Sequence, residues 1–289
     1  MHIDSLSTFE IVRIMNDEDK KVAVAVEKKL YEIANAADLV ASALEAGGRL
    51  FYTGSGTSGR LGVLDAAECP PTFGTSPSQI QGLIAGGKSA MFEAQEGAED
   101  DEHQGFLDLE AKDLTPNDIV CGLAASGRTP YVLGTLKKAI EIGCKTILVT
   151  CVDRINLNLP IVPNVIIDPK VGPEVIMGST RLKSATAQKL ICNMITTAAM
   201  VRLGKVYENV MVDLQLTNQK LTERAKRIIM MFSSLSYTEA ERILSDADDH
   251  VKTAIIMSLT DISKEEALLA LKNNNGFIKP ALDYLSKNS

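Results

Sequence analysis

Arg49-Leu-Phe-Tyr-Thr-Gly-Ser-Gly-Thr-Ser-Gly-Arg60 decides the fold. Leu50, Phe51 and Tyr52 read as the end of a buried strand. Gly54, Gly56 and Gly59 then permit a tight turn and close backbone approach, because a residue without Cβ tolerates positive φ. Residues 61–67 read as the first turns of a helix. The loop therefore lies at a helix N-terminus, where free N–H groups and the helix dipole attract an anion.

Working outward, residues 1–20 are polar apart from a short amphipathic piece at 9–15. Apolar residues at helical spacing over 22–44 predict one helix, stopped by Gly47-Gly48. Downstream, Cys69-Pro70-Pro71 predicts the end of the loop's own helix. A strand over 80–85, a helix over 89–101 and a strand over 118–124 follow. Next come Ala125-Ser-Gly-Arg-Thr-Pro130, a helix over 131–142, strands over 145–151 and 163–168, and a long core helix from about 184 to 203. Strand and helix alternating in this way imply an α/β fold with a doubly wound parallel sheet. In such a sheet both glycine–hydroxyl loops lie at the carboxyl edge, where ligands bind. From about Asn218 only helices are expected, with capping boxes at Thr238-Glu-Ala-Glu241 and Ser263-Lys-Glu-Glu266. The expected organisation is a helical segment over 1–47, the α/β domain over 48–217 and a small helical, UBA-like bundle over 218–289. A bundle of that size has little core of its own, so it is expected to dock on the main domain or on a second subunit.

The composition narrows the function. The 289 residues are 45% hydrophobic and only 4% aromatic, with no Trp and a net charge of −7. An acidic chain poor in aromatic side chains points away from nucleic acid and from anionic membranes. The five cysteines are scattered, never in C-x-x-C spacing, and fit a reducing cytoplasm. No signal peptide is read at the start, and no apolar run reaches the ~20 residues of a membrane span.

Gly54-Ser-Gly-Thr-Ser-Gly59 has the G-x-G-x-x-G spacing of a dinucleotide site, but residues 75–81, where the ribose-binding acid belongs, contain no acid. A nucleoside-triphosphate loop needs a Lys after its last glycine, and Arg60 stands there instead. What remains is a cluster of hydroxyls, Ser55, Thr57 and Ser58, around exposed amides including that of Gly56. Such a cluster suits a phosphate monoester. Ser126, Gly127, Arg128 and Thr129 repeat the same chemistry after another strand. Either loop alone could be a simple strand-to-helix turn; two at matched places argue for a ligand.

This pair of loops resembles the sugar isomerase (SIS) domain, a phosphosugar-binding module. The resemblance is closest to the N-acetylmuramic acid 6-phosphate etherase family, with glucokinase regulatory protein as a longer, duplicated relation. It rests on Gly54-Ser-Gly-Thr-Ser-Gly-Arg-Leu-Gly62, Asp65-Ala-Ala-Glu-Cys-Pro-Pro-Thr-Phe-Gly74, Glu96-Gly-Ala-Glu-Asp100, Ala124-Ala-Ser-Gly-Arg-Thr-Pro-Tyr131, Gly172-Pro-Glu174, Gly178-Ser-Thr-Arg-Leu-Lys183 and Thr186-Ala-Gln-Lys189. The family carries a further N-terminal arm before the region of Ile3-Asp4, close to where this chain begins. The resemblance implies cleavage of the D-lactyl ether at C3 of the sugar by elimination and hydration, without a redox cofactor or a metal. It also implies a phosphosugar substrate, no nucleic-acid or membrane partner, and a homodimer.

By the same resemblance the catalytic pair is Glu68 and Glu99, with the Glu68 position assigned the proton donor. On residue chemistry alone, Glu68 could equally be a solvated helix end. Glu99 closes a series with Glu93 and Glu96 that helical spacing would put near one face. None of the three histidines adjoins a phosphate loop. Ser179, Arg181 and Lys183 are further candidates, adding positive charge for the phosphate or the lactate carboxylate. Two other readings stay open: a phosphosugar-sensing regulator without turnover, and an aldose–ketose isomerase that also begins by removing the C2 proton.

Overall fold

The computed structural model describes residues 2–216 and 218–288. The chain starts with two helices, α1 (Thr8–Glu27) and α2 (Leu30–Glu45), where periodicity predicts one. The break falls at Lys28-Lys29, and Lys29 Nζ lies 2.6 Å from Asp168, a partner no local pattern reveals. Then β1 (Leu50–Gly54), α3 (Gly56–Phe73), β2 (Ile80–Ile84), α4 (Glu102–Glu110), β3 (Ile119–Leu123), α5 (Pro130–Ile142), β4 (Lys145–Val149), β5 (Val165–Ile167) and α6 (Lys183–Arg202) follow.

All five strands are parallel, in the order β2-β1-β3-β4-β5, as the alternation predicts. The strands are near-continuous apolar runs because helices cover both faces. Phe51, Val120 and Leu148 share one face with Leu109 of α4 and with Tyr131, Val132 and Leu136 of α5. Tyr52 points the other way by the two-residue alternation of a strand. Its hydroxyl lies 3.5 Å from the Cys192 carbonyl of α6, and Gly62 of α3 backs onto its Cβ. After β1 the chain moves to β2 on one side and then returns to β3 on the other. The switch point therefore lies between the carboxyl ends of β1 and β3, the two strands that carry the glycine–hydroxyl loops.

Two local expectations fail. Pro70 and Pro71 do not end α3, which continues to Phe73. Proline's fixed φ is helical; what it removes is the N–H that would reach a carbonyl four residues back. Two such losses in the last turn are tolerated, and the Gly74 N–H closes the end on the Pro70 carbonyl at 2.9 Å. Nor is there a helix over 89–101. Short 3-10 turns at Gly87–Met91 and Ala98–Asp100 occupy that stretch, and Gly97 is left-handed with φ 76°. The helix begins only at Glu102, capped by the Asp101 carboxylate on the Gln104 N–H. Glu93, Glu96 and Glu99 consequently share no helix face.

The chain divides into two compact units: residues 1–67 with 77–198, and residues 68–76 with 199–289. The division falls inside α3 and α6, whereas the sequence reading separates the tail at 217/218. The second unit contains a hairpin, β6 (Val206–Tyr207) and β7 (Val210–Met211), and helices α7 (Gln219–Phe232), α8 (Tyr237–Asp246), α9 (Val251–Thr260), α10 (Lys264–Asn273) and α11 (Ile278–Asn288). Contrary to expectation it has a core of its own, built on Val212, Ile228, Ile229, Leu244, Ile255, Ile256 and Leu271. The added segments enlarge it beyond the bundle read from the sequence, and Gly74 lies so close to the Asp213 carbonyl that a Cβ would meet it. Ser236 and Glu239 form the capping box of α8, two residues before the predicted pair, whereas Ser263 and Glu266 cap α10 as read. Among the described residues no helix is long and apolar enough to cross a membrane.

Candidate active site

β1 ends where Gly54 and Gly59 pack backbone against backbone: a Cβ on Gly54 would stand 2.7 Å from the Gly59 nitrogen. The Gly59 N–H donates to the Ser55 carbonyl at 3.1 Å, and the Ala85 N–H donates to the Gly54 carbonyl at 3.0 Å. This turn carries the chain directly from strand to helix and leaves the first N–H groups of α3 without helical partners. At the second loop, Gly127 is left-handed with φ 67°, and Ser126 Oγ accepts from the Arg128 N–H at 3.2 Å. The first turns of α3 and α5 contain no acidic residue, so neither helix N-terminus is neutralised from within. Thr53 donates to Thr135, whose own hydrogen goes to the Val132 carbonyl, tying β1 to α5.

Between the loops lies a cleft of about 410 Å³ lined by Ser55, Gly56, Thr57, Ser58, Ser126, Arg128 and Thr129, together with Glu99, Asp100 and Thr180. Gly127 forms the turn beneath it, where a Cβ would strike Leu157 and Thr150. A smaller recess of about 200 Å³ adjoins, sharing Ser55, Gly56 and Glu99 and adding Arg60 and Glu96. Arg60 holds the wall of that recess, donating to the Met91 and Glu93 carbonyls at 3.1 and 3.4 Å. Gly97 turns the chain so that Glu99 meets the first glycine–hydroxyl loop, and Ser55 Oγ donates to Glu99 Oε2 at 3.2 Å. The sequence groups the two loops and Glu99 as candidates, and the fold brings them to one cleft.

The other candidates lie differently. Glu68 is exposed on α3, twelve residues beyond Gly56, about 18 Å at the helical rise of 1.5 Å per residue. Lys183 is buried, with its Nζ on Glu18 of α1 at 2.6 Å, and it does not line the cleft. Its ammonium is engaged inside the protein rather than offered to a phosphate. Hydrogen bonds from Lys183 and Lys21 hold the Glu18 carboxyl down at about 2. Ser179 and Arg181 flank Thr180, the residue of that motif that reaches the cleft. Glu174 caps α6, accepting from the Lys183 and Ser184 N–H groups at 3.0 and 2.9 Å. Thr180 and Asp100 were not singled out by sequence reasoning, although each stands inside a motif quoted above.

No disulfide joins the five cysteines. Burial pushes the Cys144 and Cys151 thiols up to about 11 and the Cys121 and Cys192 thiols further, so these four are not thiolates at neutral pH. Buried Asp65, in the middle of α3, is raised mainly by desolvation and accepts from Asn193 Nδ2 at 2.7 Å. The carboxylates that line the cleft are Glu99, bonded to Ser55, and Asp100.

Comparison with known proteins identifies the family of the chain. Residues 32–140 match the glucokinase regulatory protein N-terminal SIS domain, and residues 208–248 match the C-terminal lid domain of glucokinase regulatory protein. The N-acetylmuramic acid 6-phosphate etherase of Salinibacter ruber is 55% identical over 283 residues, covering 98% of this chain and 90% of that protein. Those of Clostridium beijerinckii and Serratia proteamaculans are 55% and 53% identical, each covering 98% of this chain, and 92% and 94% of their own length. A solved phosphoheptose isomerase from Francisella tularensis is 14% identical with a TM-score of 0.48, over 66% of this chain and 100% of that one, a likeness too distant to bear on the site. With identity above one half sustained along almost its whole length, the chain belongs to the N-acetylmuramic acid 6-phosphate etherase family.

Proposed function

We propose that this chain is a carbon–oxygen lyase that converts N-acetylmuramic acid 6-phosphate and water into N-acetylglucosamine 6-phosphate and D-lactate, in the cytoplasmic recycling of cell-wall amino sugars. The observation that carries the reading is Glu99 within hydrogen-bond distance of Ser55 on a cleft between two helix N-termini. The 6-phosphate binds in the cleft against the loops Ser55–Ser58 and Ser126–Thr129, with Arg128 adding a cation. No acid in either first turn opposes it.

The reaction needs one group to accept a proton and one to donate it. A carboxylate removes the C2 proton, which the C1 aldehyde of the open-chain sugar acidifies. The electron pair forms the C2–C3 double bond as the C3–O bond breaks, and an acid protonates the departing lactate oxygen. Water then adds at C3, and C2 regains a proton. Glu99 and Glu68 are the two groups. The length of α3 between Gly56 and Glu68 supports a site shared by two copies, in which each subunit's Glu68 serves the partner's cleft. Such an arrangement requires a homodimer.

The test is D-lactate release from N-acetylmuramic acid 6-phosphate by the wild-type chain and by Glu99→Gln. The amide keeps the hydrogen bond to Ser55 but cannot exchange a proton, so kcat should fall about 10²–10⁴-fold with KM little changed. Undiminished kcat in Glu99→Gln removes that residue from the chemistry. A ketose phosphate as product, in place of lactate, makes the chain an isomerase.

A further inference from the structure

Ser58 lines the cleft from the first turn of α3, yet its hydroxyl is held from behind: it donates to Gln188 Oε1 of α6 at 2.7 Å. Gln188 is completely buried, and no group among the described residues accepts from its Nε2. An idle buried donor is unfavourable, so its retention beside a ligand loop calls for an explanation.

An amide presents an acceptor on one side and donors on the other, and a half-turn about its last side-chain bond exchanges them. In the described arrangement the one hydrogen of Ser58 points to Gln188, leaving none for an anion. After a half-turn, Gln188 Nε2 donates to Ser58 Oγ, and the Ser58 hydrogen is free for the cleft. The amide then has an unmet acceptor in place of unmet donors, so the exchange is close to balanced until an anion arrives. A phosphate oxygen tips it, because hydrogen bonds to ionised acceptors are about twice as strong as neutral ones.

We propose that Gln188 is a positioning residue for phosphate recognition: its amide turns when the anion binds and converts Ser58 from a donor to Gln188 into a donor to the phosphate. Gln188 acts on the ligand only through Ser58. The proposal rests on the reading of the cleft as a phosphosugar site.

A double-mutant cycle on the full chain tests it, with N-acetylglucosamine 6-phosphate and inorganic phosphate as calorimetric probes and KM measured alongside. Ser58→Ala should weaken both probes by about tenfold, the loss of one hydrogen bond to a charged group, and Gln188→Met should weaken them by a smaller factor, because the Ser58 hydroxyl is then left without the amide that orients it. The double variant should be no weaker than Ser58→Ala alone. KM should rise by more than kcat falls. Multiplying effects in the double variant, or unchanged affinity in Gln188→Met with only a lower Tm, overturns the proposal. The cycle is repeated with Gln188→Glu, which keeps the volume and the acceptor but cannot donate. It should weaken binding in the wild-type background and have no further effect once Ser58 is Ala, whereas simple charge repulsion would persist there. If the wild-type chain neither binds N-acetylglucosamine 6-phosphate nor releases lactate, the phosphosugar reading fails. If it does both and the Gln188 variants bind as tightly, the proposal alone fails.

Discussion

Gly54→Ala should damage this protein at the turn from β1 into α3, and the size of the effect follows from that turn. The new Cβ would stand 2.7 Å from the Gly59 nitrogen, 2.9 Å from its Cα and 3.0 Å from the Ser58 carbonyl carbon, all backbone. Reaching an ordinary contact of 3.4 Å requires the turn to open by about 0.7 Å (3.4 − 2.7). β1 cannot supply that movement, because Gly54 is in register with Ile84 on one side and Leu123 on the other. The strain therefore moves the start of α3, and with it the amides that face the cleft. Overpacking of this kind costs about 1–3 kcal/mol. At roughly 2–4 °C per kcal/mol for a unit of this size, Tm falls by roughly 2–12 °C. A misplacement approaching 1 Å also lowers kcat/KM by about ten- to a hundredfold. Gly47→Ala is the control: with φ +78° and nothing within 4 Å, it bears only the left-handed penalty of about 1 kcal/mol, away from the cleft. Thermal melts and lactate release on both variants decide the matter. If Gly54→Ala loses no more activity than Gly47→Ala, the close-packed turn is not what holds the site.

Three further outcomes follow from the ion pairs and the proposed catalytic pair. Burial alone would raise Asp168, but hydrogen bonds from Arg154 and Lys29 prevail and hold it at about 2. A depressed carboxyl stabilises the fold above its unfolded value near 3.9, so about 2 kcal/mol should be lost as pH falls from about 4 to 2, and urea melts of Asp168→Asn should show a smaller loss over that window. Glu18→Ala should destabilise because it strands the buried Lys183 charge, whereas Lys183→Met should cost less and leave phosphate affinity unchanged, as urea melts of the two variants would show; a larger loss in Lys183→Met would contradict the pairing. Mixing Glu68→Gln with Glu99→Gln protein under exchange should restore about a quarter of wild-type activity, since half the dimers are mixed and each then has one intact site. No recovery despite demonstrated exchange would count against a shared site.

The residues that were legible from the sequence act locally. The glycines and hydroxyls of 54–59 announce a strand-to-helix turn because Gly is the residue that permits such backbone proximity. The apolar runs at 50–52 and 119–123 announce a parallel sheet because both faces are covered. Where propensity reasoning failed, a longer-range interaction prevailed. Periodicity joins α1 to α2, but Lys29 is drawn to Asp168. The spacing of Glu93, Glu96 and Glu99 suggests a helix, but left-handed Gly97 and the Arg60 bonds to 91 and 93 shape a loop that delivers Glu99 to Ser55.

By itself, then, the sequence determined the fold class, the two glycine–hydroxyl loops, the family and Glu99 as a candidate, each written within a few consecutive residues. Only the tertiary structure decided that Lys183 belongs to Glu18, 165 positions away, and that Ser58 is held by Gln188, 130 positions away. It also put the division of the chain inside two continuous helices. Those outcomes depend on which distant side chains share a buried space, where an unpaired charge or amide is costly, and linear spacing carries no record of that.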